Sequence, residues 1–299
     1  TYRDFGPGNP SARVTAIGEI LAGLLRERGW NVIHDTTPYD MEGGSLDRSR
    51  AYTYALDGIT RILEENPTIQ VVLDVHRDGV GESVRLVSEI DGKPTANIMF
   101  FQGMSQTQDG PISYLPNPYL KENLAFSFQL QLACAQRAPG FARKIYLKSL
   151  RYNLHVRPRS ALIEVGAQTN TGVEGEYAPE PKRVNSDQNP SLQETLNQEP
   201  TEQQNLDQES SEQEASAREQ RVESAREVFA DYETMMKNFY IVHSSTVARA
   251  ELMNVNTFLD TDLTLQQDSS VPQILIYHTH SQETYRDFGP GNPSARVTA

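Results

Sequence analysis

The chain has 299 residues, a formal net charge of −13 and a hydrophobic fraction of 37%. This length is sufficient for a buried core in one large domain or two small ones. Residues 172–227 hold 14 acidic and 5 basic residues, so this segment alone carries −9 of the net charge. No clustered basic stripe is present to neutralise phosphates, which argues against a nucleic-acid partner. The single cysteine, Cys134, excludes an intramolecular disulfide and a cysteine-based zinc cluster. No run of about 18 apolar residues predicts a membrane span.

The N-terminal part of the chain alternates helices with strands, which predicts an α/β layer. Apolar residues at helical spacing predict a helix over residues 12–28, ended by Gly29. Residues 30–34 follow as a short strand, and residues 45–65 predict a second helix that Pro67 stops.

A buried strand that ends in polar residues is predicted over residues 69–79, I-Q-V-V-L-D-V-H-R-D-G. His76 lies at its polar end and is a candidate metal ligand, although a lone histidine there is more often a hydrogen-bonded core residue. Arg77 either pairs locally with Asp78 or contacts an anionic group of a substrate. We assign it as a candidate substrate-binding residue.

The middle of the chain adds antiparallel pairing and a further helix. Residues 83–90 and 96–101 predict a hairpin around Asp91-Gly92. Residues 118–136 predict a helix in which Cys134 packs in the core. Residues 152–155 form a polar approach to the next strand, where we assign Asn153 as a second candidate substrate-binding residue.

Glu164 lies inside an apolar strand, A-L-I-E-V-G, over residues 161–166. A buried carboxylate is costly unless it is paired, hydrogen-bonded or linked to a metal. An ion pair, for instance with Arg159, is the structural interpretation. The functional interpretation is a general base, and then general acid, beside a metal-activated water.

The segment from residue 172 to about 218 is rich in Gln, Glu, Asn, Ser and Pro, which predicts disorder. Helix-forming residues return over 217–239, and residues 240–242 predict a strand. The domain prediction is therefore a catalytic domain in two parts, residues 1–171 and 238–283, joined by an acidic linker, 172–237, that ends in a helix.

The strongest candidate site follows an apolar strand near the end of the chain, V-P-Q-I-L-I-Y-H-T-H-S-Q-E over residues 271–283. Alternation along an extended chain predicts that His278 and His280 lie on the same side. A turn after His280 brings Glu283 close. A catalytic zinc usually has three protein ligands and one open position. We therefore predict that His280, Glu283 and His76 bind Zn²⁺ at the C-terminal ends of the strands, with His278 as the alternative to Glu283.

Residues 1–16 recur without change as residues 284–299. Repeat architectures show several imperfect copies, whereas two perfect terminal copies indicate a circularly permuted order. In that order Glu283 precedes Thr1, and the two copies compete for one place in the fold. The N-terminal copy is covalently joined to the first helix, so we expect residues 284–299 to be frayed or peripheral.

Three segments together resemble stage II sporulation protein P, a family of zinc-dependent N-acetylmuramoyl-L-alanine amidases. They are P-Q-I-L-I-Y-H-T-H-S-Q-E-T-Y, V-V-L-D-V-H-R-D-G and A-L-I-E-V-G-A-Q-T-N-T. The resemblance covers residues 1–171 and 238–283, and in the family the H-T-H segment precedes the other two. It implies an α/β fold with a mixed, mostly parallel sheet and helices on both faces. It also matches His280 and His76 to metal ligands and Glu164 to the catalytic glutamate.

The same resemblance implies a peptidoglycan substrate, cleavage between muramic acid and L-alanine, and work during sporulation engulfment with other cell-wall machinery. It implies a location outside the cytoplasmic membrane through a tether that this chain lacks, so the chain as given is expected to be soluble. Two alternatives remain open. One is a zinc carboxypeptidase-like enzyme, which would need Arg77 or Arg151 for a terminal carboxylate. The other is a wall-binding protein without catalysis.

Overall fold

The computed structural model describes residues 13–171, 174 and 222–285. Its strands are, in chain order, β1 (Val32–His34), β2 (Met41–Glu42), β3 (Ser45–Leu46), β4 (Val71–Asp78), β5 (Val87–Ile90), β6 (Lys93–Ala96), β7 (Ile98–Gly103), β8 (Gln106–Thr107), β9 (Gly110–Pro111), β10 (Ala142–Lys148), β11 (Ser160–Ala167), β12 (Tyr240–Val242) and β13 (Ile274–Tyr277). The helices with defined bounds are α1 (Val14–Glu27), α2 (Ala51–Glu65), α3 (Leu120–Arg137), α4 (Tyr232–Phe239) and α5 (Val255–Asp260).

Seven strands form the central sheet, in the order β1-β13-β4-β11-β7-β10-β12. All neighbouring pairs are parallel except β11 and β7, which are antiparallel. The sheet therefore consists of two parallel blocks joined at one antiparallel seam. The predicted α/β class, with a mixed and mostly parallel sheet, is confirmed.

Side-chain alternation along the strands divides the core between the two faces of the sheet. On β13, Ile274 and Ile276 belong to the main core with α1, α3 and α5, whereas Leu275 and Tyr277 pack with α2 on the opposite face. Helices therefore lie on both faces, as predicted. None of the helices in the described residues is both long and apolar enough to cross a membrane.

Several predicted boundaries shift in the structure. The second helix begins at Ala51 instead of residue 45, because Ser45 and Leu46 form the short strand β3. The hairpin turn at Asp91-Gly92 is present, and both residues have positive φ (57° and 75°). Its return strand is β6, whereas β7 leaves the hairpin and enters the central sheet.

The helical end of the acidic segment packs into the main core. Residues 222–228 are helical, and a break before Tyr232 separates them from α4. The predicted single helix over 217–239 is therefore two helices in its described part. Ala225, Phe229 and Met235 are almost fully buried in the main core, so these residues belong to the folded domain. Most of the predicted linker, residues 175–221, lies outside the described residues.

The first two residues of the second terminal copy are well packed. Thr284 forms an antiparallel bridge with Arg13, and Tyr285 is 0% exposed with its hydroxyl donating to the Val165 carbonyl at 2.8 Å. The expectation that the second copy is frayed or peripheral is therefore wrong for these two residues. The remainder of both copies, residues 1–12 and 286–299, lies outside the described residues.

Candidate metal and catalytic site

Two neighbouring parallel strands bring His76 and Glu164 together. The register of β4 and β11 places Glu164 directly opposite His76. Both side chains lie on the opposite face of the sheet from the main core, because the residues that precede them, Val75 and Ile163, belong to that core. The sequence placed these residues in separate strands, and the sheet order makes them adjacent.

Asp74 supports His76 from two positions earlier on β4. Its Oδ1 atom lies 2.8 Å from His76 Nε2, and its carboxylate accepts hydrogen bonds from the Thr279 amide and hydroxyl. Asp74 is fully buried. Sequence analysis did not select it, although a carboxylate within an apolar strand is the same signal that selected Glu164.

The chain turns immediately after β13 and carries His280 and Glu283 to His76. The rings of His280 and His76 are 5.3 Å apart, and Glu283 Oε2 lies 3.6 Å from His76 Nδ1. That separation is too long for a hydrogen bond. Buried Asp40 fixes the turn by accepting from the Ser281 hydroxyl and the Gln282 amide.

His278 points to another part of the molecule. Its Nδ1 lies 2.8 Å from the Val75 carbonyl, and its Nε2 lies 2.9 Å from Nε2 of His34. His34 is held in turn by Glu19, at 2.7 Å from Nδ1. The prediction that His278 and His280 lie on one side is wrong, because β13 ends at Tyr277 and the following residues are not extended. His278 therefore does not stand beside His76 as an alternative ligand.

The hydrogen-bond partners of His278 fix its tautomer. His278 donates from Nδ1 to a carbonyl, so in its neutral form Nε2 can only accept. Burial lowers the pKa of His278 to about 4, which keeps it neutral. His34 lies between the two partners, with Nε2 facing His278 Nε2 and Nδ1 facing the Glu19 carboxylate.

The pKa shifts of His280 and Glu283 suit metal binding, whereas that of His76 opposes it. Burial lowers the pKa of His280, so its imidazole is neutral. Burial alone would raise the pKa of Glu283, but His76, Arg77 and His280 outweigh it and lower that pKa. Neutral imidazole and ionised carboxylate are the forms that bind metals. For His76, burial is outweighed by Asp74 and Glu283, which raise its pKa, so a metal would compete with a proton there.

The pKa of Glu164 is raised, in contrast to that of Glu283. Burial is the main effect that raises the pKa of its carboxyl, and the nearby carboxylates of Glu283, Asp78 and Asp74 add to it against the opposing His76. A carboxyl group with a raised pKa can hold a proton near neutral pH and return it.

Four buried polar atoms of the candidate residues have no hydrogen-bond partner: His280 Nδ1, Glu283 Oε1, Glu164 Oε2 and His76 Nε2, the last lying 2.8 Å from Asp74 Oδ1 without hydrogen-bond geometry. Buried polar atoms are nearly always paired, so such a group indicates a missing ligand. The donor types fit zinc, and the Asp74 carboxylate beside His76 matches the support that metal-binding histidines usually have. Within the described residues, however, no three His, Cys, Asp or Glu side chains are preformed as a metal-binding group.

The two predicted substrate-binding residues are both buried. Arg77 is 1% exposed, and its Nε donates to the Thr284 carbonyl at 2.6 Å. Because neighbouring residues of a strand point to opposite faces, its side chain lies on the other face of the sheet from His76. A substrate cannot reach its guanidinium. Asn153 is 6% exposed and donates to the Tyr52 carbonyl at 2.7 Å, so it positions a neighbour instead of contacting a substrate.

Tyr52, at the start of α2, is a site residue that sequence analysis missed. Its ring lies 5.6 Å from that of His280 and 6.5 Å from that of His76, stacked nearly parallel to the latter. Burial raises its pKa well above the usual range, so its hydroxyl remains a donor. The helical pattern gave no signal for it, because Tyr52 reads as an ordinary residue of an amphipathic helix.

Comparison with protein families connects this geometry to a known group. The family model of stage II sporulation protein P (SpoIIP) matches in two segments, residues 4–181 and 173–298. The chain belongs to the SpoIIP family. Family membership connects the chain to peptidoglycan remodelling in sporulation engulfment. The comparisons with curated proteins and with solved structures found no match. The circular permutation stays a prediction, as do the roles of His76, His280, Glu283 and Glu164 and the domain boundaries.

Proposed function

We propose that this SpoIIP family member is a zinc-dependent N-acetylmuramoyl-L-alanine amidase. It would hydrolyse the amide between the lactyl group of muramic acid and the L-alanine of the stem peptide. The observation that supports the proposal is that His280 and Glu283, from the turn after β13, lie close to His76 of β4, with Glu164 opposite His76 on β11. Its substrate would then be peptidoglycan, outside the cytoplasmic membrane of a sporulating cell. It would act there together with other sporulation cell-wall proteins.

His280, Glu283 and His76 would hold the metal, with Asp74 supporting His76. A bound zinc ion would supply a Lewis acid that polarises the amide carbonyl and lowers the pKa of water. Glu164 takes a proton from the attacking water as a new C–O bond forms. It then gives that proton to the amide nitrogen as the C–N bond breaks, which leaves a lactyl carboxylate and a free L-alanine amine. Its raised pKa suits both transfers.

The carboxypeptidase alternative requires a free cation for a terminal carboxylate. Arg77 is enclosed by the Thr284 carbonyl, and Arg151 donates to the Pro116 carbonyl at 3.3 Å. Burial closes Arg77 to a terminal carboxylate, so the carboxypeptidase alternative depends on Arg151 alone of the two candidate cations. The alternative of a wall-binding protein without catalysis predicts substoichiometric zinc in a chain that still binds peptidoglycan.

The test compares wild type, Glu164→Gln and the control Glu89→Gln, which changes an exposed carboxylate on β5. Purified peptidoglycan is digested and the products are identified by mass spectrometry, with zinc content measured on the same samples. We expect wild type and Glu89→Gln to release free stem peptides that begin with L-alanine. Glu164→Gln should keep zinc and lose at least about 100-fold in rate, as expected for loss of a general base. Equal loss of zinc and activity would contradict its role as a base.

A further inference from the structure

A series of aromatic rings leads away from the catalytic site across the sheet. Tyr52, which contacts His280, lies 5.5 Å from Tyr152, and Tyr152 lies 4.7 Å from Phe101. Phe101 is followed by Tyr146 at 5.6 Å. Adjacent rings in this series are therefore all within the range of aromatic contact.

The far part of this series lies on a face that no helix of the described residues covers. On β10, Ile145 and Leu147 are 0% exposed in the main core, whereas Tyr146 between them points to the other face and is half-buried. On β12, Ile241 is paired with Tyr146 and is 45% exposed. The aromatic surface thus continues into exposed apolar surface, which commonly marks a binding site.

The loop that carries Tyr152 adopts an unusual conformation. Tyr152 and Asn153 have positive φ values of 50° and 56°, which residues other than glycine rarely adopt. Asn153 then donates to the Tyr52 carbonyl and ties the loop to the first turn of α2. Backbone strain of this kind is concentrated at binding and catalytic sites. Here it places the Tyr152 ring between Tyr52 and Phe101.

We propose that Tyr52, Tyr152 and Tyr146 form a surface that binds the glycan strand of peptidoglycan by packing against its sugar rings. This inference rests on the proposed amidase function. The scissile carbonyl is separated from its sugar ring only by the lactyl group, so that ring must lie directly beside Glu164. Tyr52, 5.6 Å from the His280 ring, and Tyr152, 5.5 Å from Tyr52, are the rings of the series nearest the candidate metal ligands. Further sugars of the strand would continue toward Tyr146.

The chemistry of the surface matches a glycan. Sugar rings present apolar C–H faces that pack on aromatic rings, and a tyrosine adds a hydroxyl that can bond their polar groups. Lys148 shares the face of β10 with Tyr146, since residues at alternate positions point the same way. Its positive charge complements the lactyl carboxylates that hydrolysis leaves on the strand.

Binding is tested in the Glu164→Gln background, so that hydrolysis does not consume the ligand. The probes are purified peptidoglycan, by co-sedimentation, and an N-acetylglucosamine tetrasaccharide, by titration calorimetry. We expect added Tyr152→Ala or Tyr146→Ala to weaken binding by roughly 5- to 10-fold. Tyr152→Phe should retain binding because it retains the ring. The matched control is Tyr54→Ala, a tyrosine of α2 whose ring contacts Arg50 instead of this series.

Unchanged binding in both Tyr152→Ala and Tyr146→Ala, with thermal unfolding like that of the parent, would overturn the proposal. Absence of tetrasaccharide binding, or complete competition by a free stem peptide, would also overturn it. Failure of the amidase proposal gives a different result: wild type would not hydrolyse peptidoglycan, while the tyrosine-dependent binding would persist.

Discussion

Tyr285 offers a sharp test of how the two identical terminal segments share one place in the fold. Its side chain is 0% exposed, and its hydroxyl donates to the Val165 carbonyl. Truncating a fully buried aromatic side chain costs about 3–5 kcal/mol. Tyr285→Ala should therefore lower the free energy of unfolding by about that amount. Tyr285→Phe removes only the hydroxyl's hydrogen bond and should cost about 1 kcal/mol.

The measurement is urea unfolding at equilibrium, followed by circular dichroism. The matched control is Tyr2→Ala, because Tyr2 has the same position in the first copy of the repeat. Placement of Tyr285 in the core predicts a small effect for this control. An equal or larger loss from Tyr2→Ala than from Tyr285→Ala would refute the reasoning, since the first copy would then occupy that place.

Two further predictions concern α1 and the cysteine. A Cβ at Gly18 would lie 2.5 Å from His278 Nε2 and 2.7 Å from His34 Nε2, so Gly18→Ala should destabilise the protein by about 1–3 kcal/mol in urea unfolding. Gly23→Ala, on the same helix with open space around its Cβ, should be neutral or stabilising by up to about 1 kcal/mol; similar effects of the two would contradict the packing at Gly18. Burial raises the pKa of Cys134 to about 12, so iodoacetamide at pH 8 should label the native protein far more slowly than the unfolded one. Rapid native labelling would contradict this raised pKa.

The two strands next to the candidate ligands were predicted from apolar runs that end in polar residues. The cost of a carboxylate within such a run singled out Glu164, and the structure places it opposite His76. The strand positions are confirmed because burial of a strand is recorded in its own sequence. The same rule would have found Asp74.

The arrangement after β13 depends on contacts that local sequence does not show. Asp40, far away in the chain, fixes the turn through Ser281 and Gln282, so alternation fails beyond Tyr277. Arg77 failed as a substrate contact for a related reason. It is next to His76 in sequence, but neighbouring strand residues point to opposite faces.

Zinc content is the measurement that tests the central claim most directly. It would be determined by elemental analysis on wild type, His76→Ala and the control His243→Ala, whose histidine lies beside Tyr146 on a different part of the sheet. We predict about one zinc per chain in wild type and in the control, because the chain would hold a single catalytic zinc site. His76→Ala should lose this zinc. Absence of zinc from wild type, or its full retention in His76→Ala, would contradict the assignment of this site.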